Sequence, residues 1–146
     1  MTPPSQASAE LNLVTGTRPR LTASPMRAVP KVVSGTHRSA HATVTIAPDE
    51  PVLAGHYPGA PILPGVCLLE LFHQSARMIA TRRALQIDLT KIVSARFLKP
   101  VRPGDTLDLD VDVQQDGPTW LVHTVASTGQ GRAAEAVLSY EPRPVR

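Results

Sequence analysis

A chain of 146 residues has room for one domain and not for two, since domains cluster at ~100–150 residues and a chain this long buries roughly two thirds of its unfolded surface. Apolar residues make up 42% and charged residues 18%, too apolar for disorder throughout, yet no apolar run approaches the ~18 residues that span a bilayer. The net charge of +3 comes from twelve arginines and three lysines against twelve acidic residues; with no dense basic stripe and only five aromatics, the composition argues against nucleic acid and suits an acidic partner better.

Cys67 is the single cysteine, so neither an intrachain disulfide nor a thiolate pair for structural zinc is available. The opening MTPPSQASAE lacks the basic start and apolar core of a secretory signal, and the expected address is the reducing cytoplasm. Residues 1–25 carry Pro3, Pro4, Pro19 and Pro25 among polar side chains and read as a flexible tail. The expected domain spans 26–141, with a second tail of proline and arginine over 142–146.

From His37 to Ile46 the sequence alternates, with Ala40, Ala42, Val44 and Ile46 on one face, which predicts a strand. Pro48, Pro51, Pro58, Pro61 and Pro64 then predict a long stiff loop without regular structure, because each removes a donor and biases its predecessor away from helix. Val66 to Arg83 contains no proline or glycine and predicts a helix of about five turns. Its polar residues Glu70, His73, Gln74 and Arg77 form one narrow stripe, so the helix must be wrapped by other structure rather than laid on a surface. Strands follow at Lys91–Leu98, Thr106–Val113, Trp120–Ser127 and Arg132–Tyr140, separated by turns at Gly104-Asp105, Asp116-Gly117-Pro118 and Gly129-Gln130-Gly131. One helix and a run of strands define an α+β class with an antiparallel sheet.

Asp108, Asp110 and Asp112 alternate like the first ligands of a calcium loop, but Val113 stands where that loop needs glycine and Thr119 where it needs glutamate. They read as the solvated face of a strand, and no metal site is expected.

The stretch GHYPGAPILPGVCLLELFHQ, Gly55 to Gln74, carries the most chemistry. His56 sits in the rigid loop and Glu70 on the buried helix, fourteen positions later. A histidine and a carboxyl group form a base and acid pair when burial keeps one neutral and the other protonated. Gly65 stands at the helix start, where unpaired amides and the positive dipole end can hold a developing oxyanion. A capping role for His56 and a solvated role for Glu70 remain open on this pattern alone. His37, His41 and His123 lie on strands with no evident partner, His73 reads as a packing or hydrogen-bonding residue, and Cys67 reads as a buried inert thiol.

GHYPGAPILPGVCLLE resembles the signature of the hotdog-fold 3-hydroxyacyl-[acyl-carrier-protein] dehydratases of bacterial fatty acid synthesis. FLKPVRPGDTLDLDVDV resembles the same family's strand after the helix, and the two motifs with their intervals cover about residues 32–140. The resemblance implies a hotdog fold, an antiparallel sheet around one long central helix, and a homodimer with joined sheets in which His56 of one subunit works with Glu70 of the other. It implies that a carrier-bound 3-hydroxyacyl thioester loses water to give the trans-2-enoyl thioester, in fatty acid or polyketide-type synthesis, with no cofactor. Gly65 and Val66 would then position the thioester, Gln74 would orient Glu70, and Tyr57, in place of the family's usual phenylalanine, would add a hydroxyl nearby. Glutamate at position 70, where the isomerising branch carries aspartate, points away from double-bond isomerisation. His73 replaces a small apolar residue common in the family, a change that bears on the acyl chain. Arg82, Arg83, Arg96, Lys99 and Arg102 are candidates for meeting an acidic acyl carrier protein. Two other readings keep the fold: an acyl thioesterase, and a non-catalytic subunit that binds acyl chains or acts as a scaffold.

Overall fold

The computed structural model describes residues 26–54 and 62–145. In chain order the elements are β1 (Lys31–Gly35), β2 (Ser39–Thr45), α1 (Pro51–Ala54), α2 (Gly65–Arg82), β3 (Leu85–Phe97), β4 (Thr106–Asp116), β5 (Thr119–Thr128) and β6 (Gly131–Pro144). The strands form a six-stranded sheet in the order β1-β2-β4-β5-β6-β3, with every neighbouring pair antiparallel. The sheet curls around α2, whose Cys67, Leu68, Leu71, Phe72, Ser75, Ala76, Ile79 and Ala80 are buried. This is the predicted α+β arrangement of one long helix held by a sheet.

Alternation sets which face of each strand meets the helix. Ala40, Ala42 and Val44 of β2 and Leu107, Leu109, Val111 and Val113 of β4 are all buried, and the residues between them point away, as a period of two requires. Two register shifts between β3 and β6, at Leu89/Lys91 and Ile92/Ser94, put bulges into the long outer ribbon; bulges bend a strand and raise its twist, which helps the sheet close on the helix. Gly117 takes a positive φ of 61° in the tight connection between β4 and β5, where a side chain would be strained.

Four elements differ from the sequence-based expectation, the first being β1, which pairs with β2 ahead of the first expected strand. A single helical turn, α1, interrupts the proline loop: Pro51 stands at its first position, where the missing N–H costs nothing, and Leu53 N–H donates to Glu50 O at 3.0 Å. The strand after α2 begins at Leu85 rather than Lys91, because the chain reverses within Arg83 and Ala84, the latter at φ 57°, and Leu85 already pairs with Pro144. The residues from 142 are accordingly strand as far as Pro144 and not a tail. Pro142 and Pro144 are tolerated because the β5–β6 pairing ends at Trp120, opposite Tyr140, so beyond Tyr140 one flank of β6 has no neighbour that needs a donor.

Glu50 is buried, and its carboxylate accepts from the amides of Arg27 at 3.0 Å and Ala28 at 2.8 Å. A buried carboxylate is tolerable only when hydrogen-bonded, and here it ties the segment before β1 to the start of α1.

Candidate active site

Helix α2 begins at Gly65 after Pro64, which supplies no side-chain cap. The first amides of a helix lack intrahelical acceptors and carry the positive end of its dipole. An apolar slot of 460 Å³ opens beside this turn, between Ile62, Leu63, Pro64, Gly65 and Leu68 on one side and Phe97, Leu98, Lys99, Pro100 and Val101 on the other. Leu63 N–H donates to Val101 O at 2.7 Å, which fastens the two walls together.

Glu70 lies five residues into the helix, roughly 7 Å along its axis from Gly65, and is half-buried. Gln74 Nε2 donates to Glu70 Oε2 at 2.8 Å, so the residue one turn on meets the carboxylate, as residues four apart on a helix do. Val66 is 61% exposed on the same open face of α2 as Glu70. His56 and Tyr57 lie outside the described residues, and Pro58 and Pro61 with them.

His73, on the same stripe, turns to the sheet. Its Nδ1 is 2.9 Å from the Tyr140 hydroxyl, and the rings stack with centroids 5.6 Å apart. Burial, helped by the Arg77 charge, lowers its pKa to about 4, so the imidazole is neutral at physiological pH. Burial, then the Glu70 carboxylate, pushes the Tyr140 hydroxyl upward, against an opposing effect of Arg77. The pair is a neutral polar contact inside the core, matching the hydrogen-bonding role expected for His73.

That neutral histidine has a consequence for stability. The folded-state pKa lies below the ordinary 6.5, so as pH falls from about 6.5 to about 4 only the unfolded chain gains this proton. Stability is lost through that window, by an amount on the order of 3 kcal/mol, and the loss levels off below it. Denaturant unfolding across this range is expected to show a steeper fall for wild type than for His73→Phe, whose own cost, the orphaned Tyr140 hydroxyl, is independent of pH. Parallel curves would contradict the neutral assignment.

Cys67 is fully buried, and burial, then Glu50 and Glu70, pushes its thiol up to about 12, which makes it an inert core residue. His41 corrects the expectation of partnerless strand histidines: its Nδ1 is 2.8 Å from Asp110 and its Nε2 3.5 Å from Asp108, because the register sets His41 opposite Asp110. His123 likewise meets Gln114 at 3.1 Å. Among the described residues no group of three or more His, Cys, Asp or Glu side chains is placed to hold a metal ion.

The five basic candidates do not form one patch. Lys99 borders the slot and donates to Gln130 O at 2.6 Å, and Arg102 follows close by. Arg96 pairs with Glu135 at 3.0 Å. Arg82 and Arg83 lie at the far end of α2, roughly 26 Å of helix away. Arg82 donates to Thr36 O and Ser39 O, both at 3.0 Å, and Arg83 sits 4.9 Å over the Trp120 ring. Both therefore pin the β1–β2 turn and the sheet end to the helix, a task that sequence spacing does not reveal.

Comparison with known proteins supplies the family. A family model for ApeI-like dehydratases matches residues 32–135. The 3-hydroxyacyl-[acyl-carrier-protein] dehydratase FabZ of Anaeromyxobacter dehalogenans is 38% identical over 122 residues, covering 77% of this chain and 78% of that protein. The FabZ of Myxococcus xanthus is 34% identical over 114 residues, 73% of each. In fold, the chain resembles the ApeI:P dehydratase heterocomplex of Xenorhabdus doucetiae, with a TM-score of 0.69 at 20% identity, over 80% of this chain and 99% of that one. Fold and sequence together define a hotdog-fold dehydratase. The chain belongs to the ApeI-like dehydratase family. No helix among the described residues is long and apolar enough to cross a membrane.

Proposed function

We propose that this protein removes water from a 3-hydroxyacyl thioester carried on an acyl carrier protein, leaving the trans-2-enoyl thioester. The observation that carries the reading is that one helix holds Glu70 against Gln74 at 2.8 Å and, at its first residue Gly65, lines an apolar slot. The thioester oxygen accepts from the Gly65 amide, with Val66 flanking it, where charge builds as C2 is deprotonated. His56 takes the C2 proton, the electron pair becomes the C2–C3 double bond, and the C3 hydroxyl leaves as water with a proton from Glu70. His56 then returns its proton to solvent and Glu70 regains one, so the site is restored without a cofactor. Tyr57, next to His56, adds a hydroxyl at the edge of the reacting centre.

The working unit in this proposal is a dimer joined along β3. That strand forms an edge of the sheet and leaves Leu89, Ile92, Val93 and Phe97 exposed, with exposed Leu98 just past its end; a long apolar edge invites pairing with another strand. Joining two such edges supplies His56 of one subunit to Glu70 of the other. The carrier is proposed to dock at the slot end, by Lys99 and Arg102, where a positive rim meets an acidic surface; Arg82 and Arg83, committed to the β1–β2 turn and the sheet end, are left out.

Incubation with a 3-hydroxyacyl carrier thioester, followed by intact mass, is expected to show loss of one water from the carrier-bound chain. Release of a free acid instead would favour a thioesterase, and retention of an unchanged bound chain would favour a scaffold.

A further inference from the structure

The slot beside α2 has an asymmetric closure. At one end a backbone hydrogen bond joins Leu63 to Val101; at the other the Phe97 ring lies against Gly65. A Cβ placed on Gly65 would be 2.8 Å from the ring's Cζ and 3.0 Å from both Cε atoms, well inside the ~3.5–4.0 Å of a comfortable carbon contact. The ring therefore rests on the helix backbone itself, and nothing thicker than hydrogen separates them. The strand end that carries it is fixed: Phe97 pairs with Ala134, and the amides of Leu98 and Lys99 both donate to Ala133 O, at 2.8 and 3.2 Å. Yet Phe97 is 51% exposed, so its ring is a wall of the slot rather than a core residue.

We infer that Phe97 is a specificity-determining residue that bars substituents on C2 of the acyl thioester. The inference rests on the proposed dehydratase reading, in which the Gly65 amide holds the thioester oxygen. C2 is bonded to the carbonyl carbon, so a group on C2 falls beside Gly65 and not along the distal chain. A methyl there competes for the volume that the ring fills, and the pinned backbone cannot retreat to make room. The three atoms nearest a Cβ on Gly65 all belong to this ring, so the choice falls to one side chain.

The test compares kcat/KM for an unbranched 3-hydroxyacyl carrier thioester and for each C2 epimer of its 2-methyl counterpart, in wild type, Phe97→Leu and Phe97→Ala. Wild type is expected to prefer the unbranched substrate by about 10- to 200-fold, the range that a single methyl group commands in a fitted pocket. The preference should shrink in Phe97→Leu and more in Phe97→Ala, read as the ratio of kcat/KM between the two substrates within each variant, so that a loss common to both cancels. An unchanged ratio in both variants overturns the inference. Should wild type dehydrate neither substrate, the dehydratase reading fails. The steric claim is then read from the affinities of unreactive thioether analogues with and without the methyl group, and equal affinities for wild type overturn it.

Discussion

Replacing Glu70 with glutamine is expected to slow dehydration by about three orders of magnitude, the middle of the range that a positioned acid or base contributes. The substitution keeps the shape of the side chain and its place beside Gln74, now 2.8 Å from the carboxylate, while removing the proton that must accompany the departing hydroxyl. Glu70 is half-buried on the open face of α2, so the fold should survive: circular dichroism and the oligomeric state should match wild type. The comparison that isolates the chemistry is single-turnover dehydration on a saturating carrier substrate, which separates the chemical step from binding. A rate within tenfold of wild type would remove Glu70 from the reaction and return it to the solvated role that its position in a polar stripe also permits.

The second large effect concerns stability. Phe72→Ala is expected to destabilise the protein by ~3–5 kcal/mol, since it removes a fully buried ring from a helix wrapped by the sheet and leaves a cavity that the surrounding strands cannot collapse into. Against a typical total of ~5–15 kcal/mol that is a severe loss, visible as a lowered denaturant midpoint with an unchanged slope. Val66→Ala, on the exposed face of the same helix, should cost little by the same measurement. A small effect at Phe72 would mean that the sheet does not grip α2 as described.

The parts of the fold that follow period-two or helical patterning were legible in the sequence. The buried rows of β2 and β4, the single long helix and the stripe of Glu70, His73, Gln74 and Arg77 all follow from spacing, because burial on one face selects it residue by residue. What escaped was set by partners distant in the chain. The six residues from Leu85 to Thr90 were not read as strand because their pairing partner is the proline-containing end of β6, whose prolines argue for a tail until it is seen that β5 stops short of them. The α1 turn depends on one proline being at a helix start and not in its interior. His41 acquires two aspartates through a β2–β4 register that the sequence does not print. Arg82 and Arg83 looked like free surface cations, although their guanidinium groups are occupied by carbonyls of the β1–β2 turn and by the Trp120 ring. For the site, helical position singles out Gly65 and Glu70 as candidates, while the orienting role of Gln74 comes with the family resemblance; the 2.8 Å contact of Gln74 with Glu70 follows from their spacing of four. Phe97 escaped notice as a neighbour of Gly65 because the two come together only when the end of β3 returns to the start of α2.

Running the reaction backwards separates water addition from thioester hydrolysis. Wild-type protein is given a trans-2-enoyl carrier thioester in water labelled with heavy oxygen, and the products are resolved by mass. A dehydratase adds that water across C2 and C3, so the label is expected in the C3 hydroxyl of an intact carrier thioester. Label in the carboxylate of a released acid, with no hydroxyacyl carrier formed, would contradict the account and assign the site to thioester hydrolysis.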